Sequence, residues 1–154
     1  MFRISDLFTV ELSKGDIKLD DVESGNIRLI SSGETNNGVV GYISGKGDGV
    51  AEIFPSNVLT LDMFCNAYYQ NQRFYAVSHG RVNILIPKFH LTKAIGLFLT
   101  ACIQQEKYKY SYGRAVYSSV ASNMEIKLPI NEDELPNWNF MEQYIKSLPY
   151  GDRL

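Results

Sequence analysis

Two periods of apolar residues run through this chain. Phe8, Val10 and Leu12 alternate with polar neighbours and stop at Lys14-Gly15, which predicts a short strand ending in a turn. Further strands are predicted at residues 27–30, 39–43, 51–54 and 58–61, the last two on either side of the turn FPSN. Residues 74–78 and 82–86 form the strongest apparent strand pair, joined by Ser78-His79-Gly80-Arg81 and closed by Pro87. The period then changes. Leu91, Ile95, Phe98 and Cys102 recur at helical spacing and predict one apolar helix face. EIKLP at residues 125–129 predicts a last strand, and Trp138, Met141, Ile145 and Leu148 line a final helix that Pro149 ends. Several short strands with one central and one terminal helix predict an α+β fold, a single domain with a twisted mixed β-sheet.

At 154 residues the chain is long enough to bury a core without disulfides or metals. Cys65 and Cys102 lie in apolar contexts with no metal-ligand spacing, so they read as small buried hydrophobes. No apolar run reaches the length of a membrane span and the first residues lack a signal-peptide pattern, which predicts a cytoplasmic protein.

The net charge of −2 conceals an asymmetry. Between Met63 and Met124 there are seven basic residues and one acid, Glu106, so that segment carries +6 and the remainder −8. A local positive field in an acidic chain suits a polyanion docked in one place, and chance clustering on solvated faces explains it equally well.

Catalytic patterns are missing. GKGDG lacks the rest of a phosphate-binding motif, although Lys46 at its tip is placed to reach a phosphate oxygen. His79 and His90 have no nucleophile in a strained elbow, and three consecutive acids, Glu132 to Glu134, do not converge easily on one ion. No methyltransferase cofactor motif occurs. No cofactor and no enzymatic activity are expected.

What remains is aromatic and basic. Lys107, Tyr108, Lys109, Tyr110, Tyr112 and Arg114 alternate cation with ring. An extended run places the three tyrosines on one face and Lys107 and Lys109 on the other. Cations neutralise phosphates, and tyrosine hydroxyls bond to phosphates or bases. A second patch, Tyr68-Tyr69-Gln70-Asn71-Gln72-Arg73, offers the amides that read adenine and the guanidinium that reads guanine.

The order of these pieces resembles a known family. An F-x-I-x-x-LF start before Lys14-Gly15, the loop ISSGETNNGVVGY, Ala67–Gln70, YKYSYGR and the tail IKLPINEDELPNWNFMEQYIKSL resemble target recognition domains. These are the DNA specificity domains of type I restriction-modification enzymes and of related type II systems. The resemblance implies a recognition domain at residues 1–135 and, at 136–154, a helix and tail that begin the family's spacer. It implies a non-catalytic module that reads one half of a split duplex DNA target. Methyltransferase and restriction subunits are then the partners, with pairing to a second recognition domain or a second copy. Candidate DNA contacts are Lys46, Tyr69, Gln70, Arg73, His79, Arg81, Lys107, Lys109, Tyr110 and Arg114, with base reading assigned to residues 68–73 and 79–81. Residues 31–37 are expected to be framework that orders the recognition face. The rival reading is a protein- or RNA-interaction domain with a basic face; a small nuclease ranks third.

Overall fold

The computed structural model describes residues 1–13, 17–77, 82–111 and 113–154. The strands are β1 (Phe2–Arg3), β2 (Phe8–Leu12), β3 (Ser24–Ile30), β4 (Val39–Ile43), β5 (Val58–Leu61), β6 (Ala67–Gln70), β7 (Phe74–Ala76), β8 (Asn83–Pro87) and β9 (Glu125–Ile126). The helices are α1 (Ile4–Leu7), α2 (Lys93–Gln104), α3 (Ser118–Asn123) and α4 (Trp138–Ser147). The expected α+β class is what the structure shows, with its strands divided among three sheets. One is four-stranded and antiparallel, in the order β2-β8-β5-β6. A second, β4-β3-β7, is mixed, because β3 pairs antiparallel to β4 and parallel to β7. The third is the small pair β1-β9.

Strand alternation explains the layering. In β5, Leu59 and Leu61 face the main core with α2, while Val58 faces a second core. Leu85 and Ile84 divide between the same two cores in β8. In the mixed sheet, Ile30, Phe74 and Ala76 turn toward that second core, and Leu29 and Tyr75 turn outward to a third cluster with Ile17 and Ile43. The second core is therefore the seam between the two larger sheets, and Phe54 stacks on Phe74 within it at 5.6 Å. Period-two side chains make this possible, since each strand has two faces to bury.

Helix α2 starts at Thr92, whose hydroxyl accepts a hydrogen bond from the Ile95 amide at 3.3 Å. Its buried stripe is Ile95, Leu99 and Ile103. Gly96 admits the Tyr69 ring so closely that a Cβ there would lie 2.5 Å from Tyr69 Cδ2. Helix α4 is capped by Asn137 and joins the main core through fully buried Met141. Trp138 stacks on Phe89 at 4.1 Å. Among the described residues no helix is long and apolar enough to cross a membrane.

The expected pairing of residues 74–78 with 82–86 is corrected. β7 and β8 lie in different sheets, β7 beside β3 and β8 between β2 and β5. The expected strand at 51–54 reduces to a single bridge between Phe54 and Phe74, and that at 125–129 ends at Ile126. Both expected helices are present, whereas the short α1 and α3 carried no periodic signal of their own.

Candidate nucleic-acid interface

The loop between β3 and β4 is clasped to β6. Asn36 and Asn37 both adopt positive φ, 52° and 58°, and Gly38 follows at 79°. Asparagine and glycine tolerate this region, which is why the chain turns here and not in the β-branched run after it. The Asn37 amide nitrogen donates to the Tyr69 carbonyl at 2.9 Å and to Gln70 Oε1 at 3.3 Å. Gln70 Nε2 donates back to the Asn37 carbonyl at 3.0 Å and to Thr60 Oγ1 at 3.1 Å. Gln70 is fully buried, so its amide is committed to framework.

A second anchor lies at the other end of the loop. The buried Asp62 carboxylate accepts four hydrogen bonds: from the amides of Gly33, Phe64 and Asn66, and from Asn66 Nδ2. Tyr68 donates its hydroxyl proton to the Gly33 carbonyl at 2.8 Å. Lys107 completes the cluster by donating to Asn66 Oδ1 at 2.6 Å and to Glu34 Oε1 at 2.8 Å.

The Glu34–Lys107 bond shifts both groups. It holds the Glu34 carboxyl below its ordinary 4.5 and raises the Lys107 ammonium above its ordinary 10.5. Stability from Glu34 is thus present above 4.5 and lost as pH falls through its lowered value; that from Lys107 is present below 10.5 and lost as pH rises through its raised value. Both residues are exposed enough for solvent to screen the pair, so the effect is small. The expected result is that Glu34→Gln melts slightly below the parent at neutral pH and coincides with it in acid. Melting curves recorded across pH check this.

Beside this clasp lies a polar groove. Arg28, Asn36, Asn37, Val39, Tyr42, Tyr69, Asn71, Lys93 and Leu97 line a concavity of about 240 Å³. It adjoins a second of about 340 Å³ formed by Asn26, Ile27, Ser56, Asn71, Gln72 and Arg73, and Asn71 belongs to both. Among the lining residues there are three cations, five side-chain amides and two tyrosines, and no carboxylate. Uncompensated positive charge with amide and guanidinium groups is the chemistry that meets a phosphate backbone and base edges.

The residues singled out from sequence scatter relative to this groove. Tyr69 lines it, with its hydroxyl donated to Asn57 Oδ1 at 2.7 Å, and Arg73 is exposed at its far end. Gln70 lies behind it, buried. Lys46 is exposed at a loop tip 3.8 Å from Glu23, and that loop is closed by Asp48, which accepts from the Val50 and Ala51 amides. His79, Arg81 and Tyr112 lie outside the described residues. The aromatic-basic run is not extended, which corrects the two-faced arrangement expected of it. Lys107–Lys109 form a 3₁₀ turn, Tyr108 is 82% exposed and Lys109 is ion-paired with Glu106. Tyr110 packs half-buried against the main core, and with Lys109 and Arg114 it borders a separate concavity that also contains Glu125.

Sequence reasoning missed Arg28, Asn26 and Lys93. Arg28 had a signal: a cation inside the apolar strand IRLI, where alternation places it on the same face as buried Ile30. Lys93 had none beyond its charge, because only the packing of α2 beside β6 brings it to the groove.

Comparisons with known proteins bear on the family and the fold. The curated specificity subunit S.BcgI of the type II restriction enzyme BgcI, from Heyndrickxia coagulans, is 28% identical over 152 residues. That match covers 94% of this chain and 41% of that protein, so the chain spans less than half the length of the relative. Two solved structures share the fold. The S subunit of a type-I restriction-modification system from M. genitalium has a TM-score of 0.57 at 11% identity, covering 81% of this chain and 33% of that one. The HsdS subunit from Thermoanaerobacter tengcongensis has a TM-score of 0.60 at 12% identity, covering 99% and 36%. The family model of the type I restriction modification DNA specificity domain matches residues 1–149, and the chain belongs to that family.

Proposed function

We propose that this domain reads one half of a two-part duplex DNA target and directs partner methyltransferase and restriction components to it. The carboxylate-free groove between Arg28, Lys93 and Arg73 carries this reading. The side chains of Tyr69, Asn71, Gln72 and Arg73 and the wall residues Asn26 and Asn36 face base edges, while Lys93 at the rim meets phosphate. The domain itself has no chemistry in this reading; methylation and cleavage belong to the partners, in the cytoplasm. Pairing with a second recognition domain is part of the same proposal.

Selection from a random duplex library, followed by binding titrations at several salt concentrations, tests this directly. A selected target should bind far more tightly than random duplex, and binding should weaken steeply with salt. Lys93→Ala is expected to weaken all duplexes about equally and to reduce the log–log salt slope by about 0.9. Equal affinity for selected and random DNA, with or without a methyltransferase partner, refutes the proposal. Salt-insensitive binding favours a protein partner instead.

A further inference from the structure

We infer that Arg28 is a specificity-determining residue that reads a guanine in the DNA groove, with Asn71 orienting its guanidinium; this rests on the DNA-reading function proposed above. Arg28 lies in the central strand of the mixed sheet, paired to Tyr42 of β4 on one side and to Phe74 of β7 on the other. Its backbone is thus fixed on both flanks, unlike that of the exposed Arg73 in the connection between β6 and β7. A group held on rigid strands is placed more accurately than one on a loop.

The side chain is also oriented. Nη1 donates to Asn71 Oδ1 at 3.1 Å, which sets the plane of the guanidinium. Among the described residues only one of its five N–H donors is used in this way. Nε is shielded from water and has no partner among the described residues. A charged group left with an unpaired, shielded donor is unfavourable, and an acceptor in the groove that pairs its accessible Nη donors offsets that cost. No carboxylate lines either concavity to neutralise the charge. The acceptor that suits a planar, pre-oriented donor fork is a pair of coplanar atoms, as guanine offers in O6 and N7. A phosphate presents no such requirement and is served by the flexible rim cations.

The test is a random-duplex selection with the intact chain as wild type, Arg28→Lys, Arg28→Ala and Asn71→Ala. Lysine keeps the charge and loses the fork. The wild type should enrich a consensus containing a guanine whose discrimination falls about tenfold or more in both Arg28 variants, while preferences elsewhere stay in place. Asn71→Ala, at an exposed position, should weaken the same guanine preference without disturbing the fold. Replacing that guanine by 7-deazaguanine should weaken the wild type and leave Arg28→Ala unaffected. Retention of the guanine preference by Arg28→Lys, or equal loss for every sequence in Arg28→Ala, overturns the inference while leaving the DNA-reading function standing. Failure of the wild type to enrich any sequence removes both.

Discussion

Asp62→Ala is expected to lower stability by about 4 kcal/mol and the melting temperature by roughly 10 °C. The carboxylate is buried and accepts four hydrogen bonds, three from backbone amides and one from Asn66 Nδ2. Alanine leaves these donors without their acceptor in a place water reaches poorly, and each such loss costs about 1–3 kcal/mol before relaxation. Asp62→Asn preserves shape and one acceptor oxygen, so its cost should fall between alanine and wild type. The Gly33 amide is among the donors, so the change also loosens the loop whose other end supplies Asn36 and Asn37 to the groove. DNA affinity should therefore drop at temperatures where circular dichroism still reports a folded chain. A melting point within 2 °C of wild type would remove Asp62 from this role.

Gln70→Ala should act on the fold and not on sequence choice, with a loss of about 2–4 kcal/mol. The residue has no exposure, and its amide exchanges hydrogen bonds with Asn37 while also reaching Thr60. Truncation creates a cavity and leaves the Thr60 hydroxyl and the Asn37 carbonyl short of a donor. Its neighbour offers the contrast. Asn71 is exposed and bonds only the Arg28 guanidinium among the described residues, so Asn71→Ala should change stability by no more than about 0.5 kcal/mol. Denaturant titration of both variants, beside selection on random duplex, separates the two roles. A Gln70→Ala protein as stable as wild type with an altered target would reverse the assignment.

That contrast shows how far residue type carries. Glutamine next to asparagine and arginine suggested a reading patch, and chemically each of the three is competent. Alternation along β6 turns Gln70 inward, while Tyr69 before it and Asn71 after it line the groove. The run 107–114 misled for a related reason. Its residues alternate as a strand would, yet among the described residues no strand pairs with it, and Lys107–Lys109 form a 3₁₀ turn in which Lys107 bonds Glu34 and Asn66. Likewise, residues 74–76 and 83–87 have the composition of a hairpin, but β7 pairs with β3, more than forty residues upstream. Local pattern reports which residues favour extended backbone and says nothing of which strand lies alongside.

The sequence by itself determined the α+β class, the positions of β4, β5, α2 and α4 and, through its ordered motifs, the family. These follow from periodicity and turn chemistry, which act within a few residues, and from a combination of motifs spread along the whole chain. Only the tertiary structure decided that strands split among three sheets, that Gln70 and Lys107 bond within the protein, and that Arg28, Asn71 and Lys93 meet. Those outcomes depend on sheet pairing and helix packing, which bring residues 28, 71 and 93, far apart in sequence, to one groove.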